Sequence, residues 1–256
     1  MDKVIISASI VLFEEDLTIL QKTISSFITI KETKKLYLID NTEDSKYKGV
    51  FIGSDIQYIE NRMNLGFGTA HNKVIPFIEN ESKFHLILNP DVSFEPKVIT
   101  ELLKQLNSDE TIAMIAPKAS FLDGRHQFSC RRYPKIIELV GRRFKLLKPI
   151  LKKTVDLGEY KDKDLHEPFY CEYLTGCFQL YNTSDFIAIN GFDERYFLYM
   201  EDVDICRKID LLGKKKLYYP KVIISHILKQ GSLRKVSLFF RHLFSAVKYY
   251  RKWGFK

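Results

Sequence analysis

Apolar runs and helical stripes alternate along the first half of the chain. Residues 4–13 are almost continuously apolar, as in a strand buried on both faces. Asp16 then stands where a helix cap belongs, and Leu17, Leu20, Ile24, Phe27 and Ile28 repeat at helical spacing. Residues 36–39 predict a second buried strand, ending at Asp40-Asn41, and residues 57–60 a short third one. A helix is predicted from about Thr69, with Pro76 disturbing its end. Residues 84–88 form another apolar run, which stops at Asn89-Pro90-Asp91 because proline cannot continue a central strand. Pro96 suits the first turn of a helix whose apolar face is Ile99, Leu102, Leu103 and Leu106. Residues 112–116 predict a further strand. This alternation predicts an α/β fold, a doubly wound and mostly parallel sheet in a single domain. Right-handed crossovers put the strands' carboxyl ends on one edge, so Asp40, Asn41 and Asp91 are expected to share a rim.

The second half is less regular. Residues 121–128 read as a turn around Asp123-Gly124, and residues 135–166 as a basic segment carrying Arg142, Arg143, Lys145, Lys148, Lys152 and Lys153. That segment fits a surface loop, a helical lid or a membrane-facing stretch. Residues 172–181 are strand-like but interrupted by Gly176, and residues 184–189 predict a short helix. Residues 201–212 predict a helix closed by Gly213, followed by strand-like residues 217–219 and 222–224.

Composition narrows the class. With 45% hydrophobic and 28% charged residues among 256, the chain has the make-up of a soluble globular protein. It has no apolar run of the ~18 residues a membrane span needs. The first residues lack a small-residue cleavage site, so a signal peptide is not expected. Cys130, Cys171, Cys177 and Cys206 have no CxxC spacing, which argues against zinc or a disulfide framework and fits a reducing cytoplasm. A net charge of +8 favours anionic partners without choosing among nucleotides, phospholipids and nucleic acids.

Several stretches carry candidate chemistry. Asp91, released past the end of a buried strand and beside Asn89, suits a hard cation such as Mg²⁺ that completes its shell with substrate phosphates. The same Asn-Pro-Asp also reads as an ordinary turn. Gly66-Phe67-Gly68 precedes a helix, but His71 stands where a dinucleotide fingerprint needs its third glycine, and no P-loop is present. Glu201, Asp202 and Asp204 open a helix, where its dipole favours acids. Glu201 and Asp204 share a face, whereas Asp202 points about 100° away and is free for a different task, such as serving as a general base. His226 ends a strand and suits either a structural role or a metal.

Taken in order, these pieces resemble the inverting family-2 glycosyltransferases of GT-A fold, most closely the rhamnosyltransferase-type branch. The matching stretches are ASIVLF, LIDN, NRMNLGFGTAHN, LILNPDV, APKASFLDG with CRRYP, LTGCFQLYNTSDFIAINGFDERYFLYMEDVDICRKI, and the region of His226. The resemblance implies a glycosyltransferase domain over residues 1–230. Ser9, Phe13, Glu15, Asp40 and Asn41 would hold the nucleotide's base and ribose, while Arg62, Asn64, Gly66, Asn72 and Asn89 would line the donor. Asp91 falls on the last aspartate of the family's DxD motif, with Asn89 in place of the first. His226 would complete the shell of a Mg²⁺ or Mn²⁺ ion. Asp202 falls on the catalytic base, with Glu201 as the alternative one register away, and Gly176 and Cys177 would line the acceptor side.

Residues 231–256 carry apolar Leu233, Val236, Phe240, Leu243 and Val247 among Arg234, Lys235, Arg241, Lys248, Arg251 and Lys252. This is a basic amphipathic helix that either lies on an anionic membrane or packs on the domain. The functional expectation is transfer of a sugar, rhamnose from dTDP-rhamnose, to a cell-surface glycan or polyprenyl-diphosphate-linked acceptor at the cytoplasmic membrane face. A UDP-hexose donor on the same fold is the nearest alternative. A nucleotidyltransferase would need a basic glycine loop after the first strand, where the chain has acidic Glu14, Glu15 and Asp16. A nucleic-acid-binding module would need an aromatic stacking platform, which is not evident.

Overall fold

The computed structural model describes residues 4–137, 148–227 and 236–254. The strands are β1 Val4–Leu12, β2 Lys34–Asp40, β3 Ile56–Glu60, β4 Ser82–Leu88, β5 Val92–Ser93, β6 Ile112–Ser120, β7 His126–Gln127, β8 Cys130–Arg131, β9 Phe169–Tyr170, β10 Tyr173–Leu174, β11 Phe178–Asn182 and β12 Lys215–His226. The helices are α1 Leu17–Ile28, α2 Phe67–Asn72, α3 Ile75–Ile78, α4 Lys97–Ser108, α5 Lys148–Gly158, α6 Thr183–Ala188, α7 Glu201–Leu211 and α8 Val236–Trp253. The expected positions Arg142, Arg143, Lys145, Leu233, Arg234 and Lys235 lie outside the described residues.

The central sheet runs β3-β2-β1-β4-β11-β6-β12-β5, with β7 on β6 and β9 on β12. Its long registers, β1 with β2 and β4, β2 with β3, and β6 with β12, are parallel. β11 runs antiparallel between β4 and β6. Sequence pattern did not predict that reversal, because a strand buried on both faces is apolar whichever way it runs. Pattern also divided β12 in two at Pro220. The strand instead continues through a register shift between Tyr219 and Ile223, the bulge that accommodates proline.

Helices cover both faces, which explains the unbroken apolar runs. Leu36 and Leu38 face one core with α1 and α4, while Tyr37 and Ile39 face the other with α6, α7 and α8. Asp16 caps α1, its Oδ1 accepting from the amides of Thr18 and Ile19 at 2.9 and 3.0 Å. Leu17, expected on the buried face, is exposed at the first turn, and Thr23 joins Leu20, Ile24 and Phe27 inside. The predicted helix near Thr69 begins at Phe67 and breaks before Pro76 into α2 and α3. No described helix is long and apolar enough to cross a membrane.

Beneath β1 and β4 lies a chain of buried polar groups. Ser9 Oγ bonds His71 Nδ1 at 2.8 Å and His85 Nε2 at 3.0 Å, and Ser7 Oγ bonds His85 Nδ1 at 2.8 Å and Ser82 Oγ at 2.7 Å. Burial holds both imidazoles neutral, pushing His85 down to about 3 and His71 well below its ordinary value, where the neighbouring His85 adds to the effect. The unfolded chain therefore takes up protons near pH 6.5 that the native state refuses. Stability is full above that pH and lost as the pH falls toward the folded-state value. Between pH 6.5 and 5, His85 alone is expected to cost about 2 kcal/mol. Urea unfolding across that range checks this: His85→Gln should flatten the pH slope, and an unchanged slope would show that the site tolerates charge.

Candidate active site

The rim expected from the strand pattern is present. Leu12 pairs with Asp40 and Ser9 with Ile87, so β1, β2 and β4 end together. Beyond β4 the chain turns through Asn89-Pro90-Asp91, with Thr23 Oγ1 donating to the Pro90 carbonyl at 2.8 Å. β5 then pairs with the end of β12, Val92 opposite His226. That pairing brings Asp91 Oδ1 within 3.3 Å of His226 Nε2, both side chains being nearly buried.

Gln127, which sequence reasoning did not single out, fixes the histidine. Its amide nitrogen donates to the His226 carbonyl at 2.6 Å, and its Oε1 lies 2.9 Å from His226 Nδ1. Since Oε1 only accepts, Nδ1 carries a proton and Nε2 faces the Asp91 carboxylate. Two acceptors facing each other require a cation between them, either a proton or a metal. Burial opposes charge on this imidazole, but the Cys177 sulfur and the Asp91 carboxylate overcome it and raise the pKa to about 10. Among the described residues no three His, Cys, Asp or Glu side chains cluster as a complete metal shell. Asp91 and His226 would give a divalent cation one oxygen and one nitrogen ligand. That donor set suits Mg²⁺ or Mn²⁺ bound together with a diphosphate.

The base candidates lie across a two-residue bridge. Asn89 N donates to the Cys177 carbonyl at 2.9 Å, the Cys177 thiol lies against His226, and Gly176 N donates to Asp202 Oδ2 at 3.2 Å. Gly176 and Cys177 thus join the Asp91–His226 pair to Asp202. The helix period separates the acids as expected. Asp202 is half-buried beside Gly176, while Glu201 is buried with its Oε2 unpartnered. Asp204, fully buried, accepts from Trp253 Nε1 at 2.7 Å and Lys252 Nζ at 2.9 Å, tying α7 to α8. Burial first, and then the charge of Asp202, push the Glu201 carboxyl up to about 8; burial also raises Asp202. Glu201 therefore holds a proton at neutral pH.

The loop before α7 is strained. Tyr199 and Met200 both have φ of 69°, an uncommon conformation for residues with side chains. Phe67 N donating to the Phe197 carbonyl at 3.0 Å and Ser245 Oγ donating to the Leu198 carbonyl at 2.9 Å hold it there.

Four expected contacts do not reach the cleft. Ser9 is fully buried and occupied by two histidines. Asp40 is also fully buried, its carboxylate accepting from Thr42, Tyr47 and Tyr58. Asn72 is occupied in pinning the Phe192 backbone and Glu194. Cys177, expected on the acceptor side, is turned inward to His226. Phe13 and Arg62 are exposed at the rim, with Glu15, Asn64 and Asn89 partly so. Asn41 is buried and acts indirectly, its Nδ2 donating to the Gly66 carbonyl at 3.0 Å. A separate cleft of about 420 Å³ lies at the opposite end of β12, near Lys215. Two of the cations that line it are paired, Arg132 with Asp162 and Lys216 with Asp210, and none of the candidate site residues lies there.

No protein-family model matches the chain. In three dimensions it is similar to GalNAc-T7, whose crystal structure contains UDP, GalNAc and Mn²⁺. The TM-score is 0.64 at 18% identity, covering 88% of this chain and 43% of that one. The fold is therefore that of a GT-A glycosyltransferase. In sequence the chain is 26% identical to rhamnosyltransferase WbbL of Escherichia coli K12 over 247 residues, covering 90% of this chain and 87% of the relative. It is also 28% identical over 186 residues to the N-acetylglucosaminyl-diphospho-decaprenol L-rhamnosyltransferase of Mycobacterium tuberculosis, covering 67% of this chain and 59% of that protein. These findings agree with the resemblance: the chain has a GT-A glycosyltransferase fold and is similar in sequence to rhamnosyltransferases.

Gly66 tests the loop geometry. A β-carbon there would stand 2.1 Å from the Phe197 carbonyl oxygen, on a backbone with φ of 82°. Gly66→Ala should cost about 2–4 kcal/mol by thermal unfolding. Gly49→Ala, with a similar φ but open space around it, should cost only about 1 kcal/mol.

Proposed function

We propose that the protein transfers rhamnose from dTDP-rhamnose to a hydroxyl of a glycan carried on a lipid diphosphate, with inversion at the anomeric carbon. The arrangement of Asp91–His226 and Asp202 around one two-residue bridge carries this reading. A donor diphosphate held at the first pair has its sugar directed toward the second group. An acceptor hydroxyl beside Gly176 would give its proton to Asp202, which the Gly176 amide holds in place. One base opposite the leaving group is enough for in-line displacement, hence inversion. Asp91 and His226 would hold Mg²⁺ or Mn²⁺, which neutralises charge developing on the departing diphosphate. Gln127 keeps His226 in the tautomer that presents Nε2. Phe13, Glu15, Arg62, Asn64 and Asn89 are the proposed donor contacts at the rim. The mycobacterial relative's name, which specifies a diphospho-decaprenol substrate, supports the acceptor class. A UDP-hexose donor is the rival reading, and release of nucleoside diphosphate from a panel of nucleotide sugars would distinguish the two.

Two experiments probe the mechanism. Asp202→Asn should lower kcat about 10²–10⁴-fold and leave nucleoside-diphosphate affinity nearly unchanged, whereas Glu201→Gln should stay within about tenfold of wild type. The reverse ranking would move the base to Glu201. Gln127→Met should weaken Mn²⁺ binding in the presence of dTDP about 10–100-fold, read by calorimetry without turnover. Unchanged Mn²⁺ affinity would remove His226 from the proposed ion site.

A further inference from the structure

We propose that the outer face of α8 is a docking surface for an anionic phospholipid bilayer. The helix has two apolar faces. Ser245, Ala246, Tyr249 and Tyr250 are buried against the domain. On the other side Phe240, Leu243, Phe244 and Val247 are 50%, 47%, 64% and 42% exposed. Their spacing of three and four residues makes them one stripe over two turns. A helix that only packed on the domain would carry polar residues there.

Charge identifies the occupant. The described helix contains no Asp or Glu. By the helix period, exposed Arg251 continues the stripe one turn on, and Lys248 and Arg241 border it on one side. The Arg241 guanidinium stacks 4.0 Å over Phe197, and Lys248 Nζ donates to the Arg195 carbonyl at 2.5 Å, so both cations are held beside the stripe. Exposed apolar side chains bordered by cations match an acyl–headgroup boundary of negative charge. A second copy of the chain fits poorly, because a two-fold contact through this face would set like charges against each other.

The position gives the contact a use. Through Ser245, Lys248, Lys252 and Trp253 the same helix holds the loop and helix that carry Asp202. A bilayer against the outer face would bring that side of the cleft to the surface where a lipid-linked acceptor resides. This last point rests on the proposed function; the docking itself does not.

Vesicle flotation tests docking without any activity readout. The full chain should float with phosphatidylcholine vesicles containing phosphatidylglycerol, remain behind with phosphatidylcholine alone, and dissociate as salt rises. Leu243→Glu with Phe244→Glu should reduce the bound fraction more than tenfold, and Arg251→Gln about fivefold. The inner face is untouched by these changes, so thermal unfolding should match wild type. Should the double glutamate variant fail to fold, Phe244→Ser and Arg251→Gln carry the test. Wild type that fails to float with anionic vesicles would overturn the proposal. So would a double variant that floats like wild type, or a wild-type dimer in solution that Phe244→Glu converts to monomer. Loss of transfer to a lipid-linked acceptor but not to a short soluble one, in variants that no longer float, would link docking to the reaction. Docking without any transfer would instead count against the proposed function.

Discussion

One antiparallel strand organises the cleft. β11 enters a sheet whose long neighbours run parallel, and it starts at the edge where β4 ends. A strand running with its neighbours would begin at the far edge and leave this one empty. Because β11 runs the other way, the residues that lead into it, Gly176 and Cys177, lie beside Asn89 and His226. The Gly176 amide, which donates to Asp202 Oδ2 at 3.2 Å, ties this bridge to Asp202. Strand direction, rather than any single side chain, brings acids more than a hundred positions apart into one site.

Much of this was legible in the chain. Continuous apolar runs at β1, β2 and β4 could belong only to strands covered on both faces, and polar residues at their ends marked the rim. The helix period alone separates Asp202 from Glu201 and Asp204. Other features were hidden for identifiable reasons. Strand direction leaves no periodic trace, so the reversal of β11 was invisible. The partners that occupy Ser9 come from α2 and β4, and those of Asp40 from the turn after β2 and from Tyr58 of β3, and local pattern does not reveal that a polar side chain is already satisfied. Gln127 lies in a two-residue strand too short to register, and its value depends wholly on the distant His226.

Electrostatics in the site follow from burial acting on paired groups. Glu201 and Asp202 adjoin each other, and burial raises both carboxyls, Glu201 to about 8 with the neighbouring Asp202 adding to its shift. Asp204, one helical turn from Glu201, is instead engaged by Lys252 and Trp253 of α8. The three acids of this helix's first turn therefore occupy three different environments.

The same link carries a mechanical consequence. The two left-handed residues before α7 store backbone strain that the loop does not relieve by itself. Gly66 and Phe67 hold it from one side, and Ser245 of α8 from the other. Because each brace comes from a different part of the chain, the orientation of Asp202 depends on contacts of high sequence separation. Weakening either brace should loosen the base before it unfolds the sheet, since the β1–β2–β4 core shares none of these bonds. The helix that closes the second apolar core thus also sets the geometry of the candidate base.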